Sequence, residues 1–157
     1  MCINLVDWHS YYLRPTALQD AICSWIYHWP YLLQTIQETK SGALEIGCGR
    51  GIHSILLSYL VHNVVGIDDD PRLLVVARKS NSRFHGRARF VECDAFNLSF
   101  PKRLFGVCFS QGLLEHFSDN EICLLAEEQL NVADTIVASV PSGYYVTKDL
   151  VDERLRL

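Results

Sequence analysis

The sequence predicts an α/β fold: a doubly wound, mostly parallel sheet, shortened after its fifth strand and preceded by N-terminal helices. Two observations carry this. Five short apolar runs rich in β-formers alternate, from residue 43 to 140, with helix-forming stretches or connections of helical length. The first of these runs leads straight into three alternating glycines and then a helix.

From Thr16 to Glu38 the apolar residues Leu18, Ile22, Trp25, Ile26, Trp29, Leu32, Leu33 and Ile36 recur at three and four, a helical period, and Pro30 divides the stretch into two helices. Composition shifts once, near Lys40-Ser41-Gly42. Residues 1–40 are therefore read as a helical N-terminal region and residues 41–157 as the main domain. Ala43 to Gly47 gives the first strand, Gly51 to Val61 a helix, and Asn63 to Asp68 the second strand. Asp70-Pro71 supplies an N-cap and a first-turn proline for a helix through Ala77. Arg89 to Cys93 and Phe105 to Ser110 form the next strands. Ser118 and Glu121 stand at capping-box spacing ahead of a helix, and Thr135 to Val140 closes the series before Pro141.

Fourteen Lys and Arg against eighteen Asp and Glu leave a net charge of −4 over 157 residues, with 49% of positions apolar. The mean hydropathy of +0.09 is that of one soluble globular domain. A chain of this length buries roughly 70% of its unfolded surface, so it needs neither disulfide nor metal to hold a core. The acidic balance argues against neutralising many phosphates of a duplex, so a nucleic-acid partner is not expected. Six cysteines are scattered singly and read as reduced thiols. Asp7 and His9 interrupt the first residues where a secretory segment would be apolar, so the protein is expected to be cytoplasmic, with no membrane partner.

The segment Ala43 to Leu57, ALEIGCGRGIHSILL, carries the chemistry. Glycines 47, 49 and 51 permit a sharp turn and close approach of a ligand to the main chain. A dinucleotide fingerprint starting at Gly47 needs glycine at position 52, which is Ile52. Instead Glu45 stands two residues before the first glycine, and Asp68 ends the second strand. This pattern resembles the class I S-adenosylmethionine-dependent methyltransferases, and the likeness continues in register from Ala43 to about Tyr145.

The resemblance implies a Rossmann-like methyltransferase fold, S-adenosylmethionine as cofactor and S-adenosylhomocysteine as product. It implies that Glu45, Gly47, Cys48, Gly49 and Gly51 surround the methionine part. Asp68 would hold the ribose hydroxyls, a task suited to a carboxylate that accepts two bonds at once, with Asp69 beside adenine and ribose and Asp70 only a helix cap. Asp94 and the amide of Ala95 would meet the adenine, and Ser110 and Gln111 would line the methyl donor and acceptor pocket. The family usually has an aspartate where Gly106 stands. Ser110-Gln111-Gly112-Leu113 also differs from the Asp/Asn-Pro-Pro-aromatic run of enzymes that methylate base amines, so a small-molecule acceptor is expected. No catalytic residue is assigned; Glu115 and His116 are the nearest titratable pair, and His53 reads as structural.

The basic cluster Arg78, Lys79, Arg83, Arg87 and Arg89 falls at the amino ends of the strands and reads as a solvated loop. The N-terminal aromatic residues read first as core packing, and the resemblance implies that these leading helices form a lid region over the cofactor. The family's last two strands have no counterpart in residues 142–157, which implies either a shortened chain or a homodimer through the edge of strand five. A non-catalytic cofactor-binding or regulatory module is the alternative reading, and a nicotinamide oxidoreductase is disfavoured by Ile52.

Overall fold

A computed structural model describes Ser10 and residues 28–38 and 41–140. The elements in chain order are α1 (Trp29–Glu38), β1 (Gly42–Ile46), α2 (Ile52–Leu57), β2 (Val64–Asp68), α3 (Pro71–Arg83), β3 (Arg89–Glu92), β4 (Phe105–Gln111), a 3-10 turn (Leu114–His116), α4 (Asp119–Val132) and β5 (Ala133–Ser139). The five strands are parallel, in the order β3-β2-β1-β4-β5. The chain winds outward from β1 through β2 to β3, then crosses back to place β4 on β1's other side. The order therefore reverses between β1 and β4, and the crevice of an open α/β sheet lies outside the carboxyl ends of the strands at such a point.

Every residue of β1 and β2 is buried, as are the first six of β4. These strands are apolar along their length because helices or loops cover both faces. On one face Leu32 and Ile36 of α1, Ile55 and Leu57 of α2, and Leu74 and Ala77 of α3 pack with Val107 and Phe109. On the other, Val132 of α4 and Leu98 of the 93–104 connection pack with Leu44, Ile46, Val65 and Ile67. Among the described residues β5 pairs with β4 alone.

Five parallel strands with flanking helices agree with the expected fold. The boundaries that moved have local causes. Gly51 is left-handed (φ 74°) and caps α2 rather than joining it. At the other end Leu60 N donates to the Leu57 carbonyl at 2.9 Å, a tighter turn that ends α2 before Val61. α3 runs six residues past Ala77, to Arg83, and Asn81 Nδ2 then binds the Ala88 carbonyl at 3.0 Å. β5 starts at Ala133 because α4 feeds directly into its pairing with Phe105. Asp70 caps α3 by accepting from Arg72 N at 2.8 Å, and Ser118 with Glu121 closes the capping box of α4. Pro30 falls in the first turn of α1, where its missing N–H costs nothing; of the expected N-terminal lid region α1 is described and packs on the sheet through Leu32 and Ile36, while the expected preceding helix and Pro141 lie outside the described residues.

Three of the basic residues are tied into the fold: Arg78 donates to the Phe90 carbonyl, Arg87 to those of Ser58 and Tyr59, and Arg89 to Asn63 Oδ1. They latch β3 and its entry loop to neighbouring elements while all three side chains remain exposed.

A Cβ at Gly51 would meet the Phe90 ring at 2.5 Å and Ala77 Cβ at 3.0 Å, on a backbone that disfavours side chains. At Gly47 the added carbon meets only the end of the Leu113 side chain, at 3.0 Å. Gly51→Ala should therefore cost about 2–4 kcal/mol in urea unfolding and Gly47→Ala distinctly less, each at an unchanged denaturant slope.

Candidate cofactor site

β1 delivers its chain to the crevice through Gly47, whose φ of 66° turns the backbone out of the strand. Cys48 N then donates to the Ile67 carbonyl at 2.8 Å, which fastens the loop to the end of β2. Asp68 completes the attachment. Its Oδ2 accepts from Gly49 N at 2.8 Å and its Oδ1 from Asp70 N at 3.0 Å, so one carboxylate spans the turns that follow β1 and β2. Each oxygen keeps a lone pair for a further donor. Burial raises Asp68 above its ordinary value; the two amides oppose that shift, and Asp69 and Asp70 add to it.

The crevice has a volume of about 390 Å³. Gly47, Asp68, Asp69, Asp94 and Ala95, all singled out from the sequence, line it. Ile67, Leu73, Cys93, Phe96, Gly112, Leu113, His116 and Phe117 complete its lining. Phe96 and Phe117 meet edge to face in that lining, with ring centres 5.4 Å apart. Asp94 Oδ1 accepts from Phe96 N at 2.9 Å, so this carboxylate closes the turn as well as facing the crevice.

The other sequence-selected residues lie beside the crevice rather than on its walls. Gly49 acts through its amide on Asp68, and Gly51 ends the loop. Cys48 is buried, its thiol raised far above the usual range chiefly by that burial, with Glu45 and Asp68 adding to the shift. Ser110 is 1% exposed, with an unpartnered hydroxyl, and Gln111 ends β4. Glu45 turns away to the face that carries α1 and α2. There its Oε2 accepts from Ser54 N at 2.9 Å and from the Ser54 hydroxyl, and its Oε1 lies 3.2 Å from His53 Nδ1. The first-turn amide of α2 that would otherwise lack a partner is satisfied by this buried carboxylate.

Sequence reasoning missed the apolar walls. Cys93 and Phe96 flank Asp94-Ala95 and could have been taken with them; Leu113 and Phe117 depend on the turn after β4, whose direction no spacing rule gives. His116 Nε2 lies 3.9 Å from Glu115 Oε1, and burial raises Glu115. Among the described residues no cluster of His, Cys, Asp and Glu is arranged to hold a metal ion, and no helix is long and apolar enough to cross a membrane. Cys48, Cys93, Cys108 and Cys123 are free thiols.

The family model described as a methyltransferase domain matches residues 43–134, which takes in β1 from Ala43, the glycine loop and every crevice residue. The chain belongs to the methyltransferase-domain family. This is the class I, S-adenosylmethionine-dependent group that the motifs resemble. "Probable tRNA methyltransferase 9B" of Homo sapiens is 34% identical over 95 residues, which make up 59% of this chain and 19% of that protein. The chain thus spans about a fifth of the curated relative's length. Among solved structures, the PH0226 protein of Pyrococcus horikoshii superposes with a TM-score of 0.65 at 23% identity, over 79% of this methyltransferase-family chain and 61% of its own. Phosphoethanolamine N-methyltransferase 1 of Haemonchus contortus, solved with phosphoethanolamine and S-adenosylhomocysteine, gives 0.55 at 19% identity over 60% and 20%. Both likenesses bear on the fold.

His28 supplies a pH test of this end of the molecule. Burial, aided by the nearby His53 and opposed by Glu45, pushes its imidazole down to about 4 from 6.5. A folded value below the unfolded one means that this group's contribution to stability is present above pH 6.5 and lost as pH falls toward 4. Between pH 7 and 4.5 the wild type should lose about 2 kcal/mol more than His28→Leu, measured by urea unfolding at each pH.

Proposed function

We propose that the crevice binds S-adenosylmethionine and that the domain directs the methyl group to a small-molecule acceptor. The observation that carries the reading is Asp68: a buried carboxylate at the carboxyl end of β2, held by two backbone amides and facing a crevice closed on one side by the glycine loop. The crevice fits such a ligand. Asp68 retains acceptor capacity for paired hydroxyls, while Ile67, Leu73 and Phe96 offer apolar surface to a planar base. Gly47 keeps the β1 side free of a side chain where a ligand would approach the main chain.

In this reading Asp68 holds the ribose, Asp69 and Asp94 with the Ala95 amide hold the adenine end, and Gly47 meets the methionine end, with Cys48, Gly49 and Gly51 shaping the loop behind it. When bound, the cofactor supplies an activated methyl group on a good leaving group. What remains for the protein is alignment and exclusion of water. Where the acceptor must shed a proton on attack, His116, on the crevice wall beside Glu115, is placed to take it.

A small acceptor is supported by charge. Asp68, Asp69 and Asp94 line the crevice, and Arg78, Arg87 and Arg89 are engaged with backbone or side-chain oxygens of the chain itself. At the crevice a polyanion would meet carboxylates. One observation favours a second reading, transfer to tRNA: the name carried by the human relative.

Calorimetric titration with S-adenosylhomocysteine should show micromolar binding, weakened about a hundredfold in Asp68→Ala through loss of two bonds to a charged group. Tritiated methyl from S-adenosylmethionine should then appear in a cell's small-molecule extract rather than in its tRNA. Label in tRNA would install the second reading, and binding without transfer to either pool would indicate a non-catalytic module. Wild-type protein that binds neither cofactor form overturns the proposal.

A further inference from the structure

Beneath the glycine loop, on the sheet face covered by α1 and α2, lies a polar cluster that the crevice does not use. Glu45 is 3% exposed, yet it stands mid-sheet on β1, two residues before Gly47. Removing a carboxylate from water costs several kcal/mol unless its lone pairs are filled. Here Ser54 fills two positions through its amide and hydroxyl, and His53 approaches a third at 3.2 Å. All three partners are on the first turn of α2, immediately after the glycine loop.

His28 closes the cluster from above. It is 2% exposed, and its ring centre is 6.1 Å from that of His53 and 6.1 Å from that of Phe109 on β4. The ring of Trp29 lies 6.4 Å from His53. The entry to α1 thus packs its rings, tilted, beside the histidine that holds Glu45.

The loop is consequently fixed at two points by two different carboxylates. Asp68 holds Gly49 from the crevice side, and Glu45 holds Ser54 from the opposite face. Between them lie only Arg50, Gly51, Ile52 and His53, and Gly51 caps α2 without any side-chain bond. If the Glu45 anchor slackens, the first turn of α2 can shift, and with it the amides between Gly47 and Gly51.

We infer that Glu45 and His53 form a positioning pair that sets the glycine loop from below, so that cofactor affinity depends on a histidine that does not line the cofactor crevice. The inference rests on the S-adenosylmethionine reading of the crevice. His53 orients Glu45, Glu45 fixes the start of α2, and the loop inherits that geometry.

The test is calorimetric titration of S-adenosylhomocysteine into wild type, His53→Ala, His53→Asn and Ser54→Ala, with a thermal melt of each. His53→Ala should raise Kd about tenfold, equivalent to about 1.4 kcal/mol, while still melting cooperatively. His53→Asn, whose amide N–H can stand where Nδ1 stands, should remain within about threefold of wild type. Ser54→Ala removes one arm of the same anchor and should raise Kd about threefold, which keeps the test available if His53→Ala does not fold. A folded His53→Ala that binds like wild type overturns the inference, as does an asparagine variant no better than alanine. With no folded His53→Ala, unchanged affinity in Ser54→Ala does the same. Wild type that fails to bind at all removes the cofactor reading itself, and this inference with it.

Discussion

The Asp68 carboxylate is the joint on which the site is built. Two turns, one after β1 and one after β2, have to meet at the carboxyl end of the sheet, and both present backbone amides with no strand partner. One side chain satisfies an amide from each, Gly49 and Asp70, at 2.8 and 3.0 Å. Backbone groups buried without partners are rare because each such group costs the fold a hydrogen bond's worth of solvation. Without Asp68 the loop would stay fastened to β2 through the Cys48 bond to Ile67 alone, and the amides of Gly49 and Asp70 would lose the acceptor they share. Burial works against the joint: it raises the carboxyl above its ordinary value, and Asp69 and Asp70 add to the repulsion. A buried carboxyl raised in this way is the kind of group found at functional sites, where burial is tolerated for what the side chain can bind.

Packing enforces the same geometry from the other direction. Phe90 of β3 fills the space beside Gly51, and Ala77 of α3 approaches the same point, so the loop is walled by the element beyond β2. Phe109 of β4 belongs to the same apolar cluster and also carries the His28 ring. Loop, sheet and α1 are therefore one packed unit, and a change at any of the three reaches the others through contacts of ordinary van der Waals length.

The glycine spacing, the strand it follows and the terminal aspartate of β2 were legible because each is a local demand: left-handed backbone, an apolar run, an acceptor at a strand end. The caps at Asp70 and Ser118 were legible for the same reason. The length of α3 was not, because Lys79 to Arg83 carry no apolar period and are held by contacts such as Asn81 to Ala88. The direction of Glu45 was not legible either. A motif gives a residue's place along a strand, but which neighbour claims its side chain depends on where His53 and Ser54 fall once α2 has docked. The latching of Arg87 and Arg89 likewise appears only when β2 and β3 are side by side.

The strand order has a consequence for how the molecule comes together. Residues 42–92 form three neighbouring parallel strands whose pairings are between consecutive elements. The next pairing, β1 with β4, joins Ala43 to Val107 and cannot start until that distant stretch is available. Loops of this size close slowly, and non-local parallel pairing comes late in folding. On the ribosome, then, β1 would wait with one edge of backbone N–H and C=O groups unpaired, at the heart of the future sheet, while the chain as far as β4 is made. That interval is when a neighbouring nascent chain could pair there instead, which makes the emergence of β4 the step that commits the protein to its own sheet.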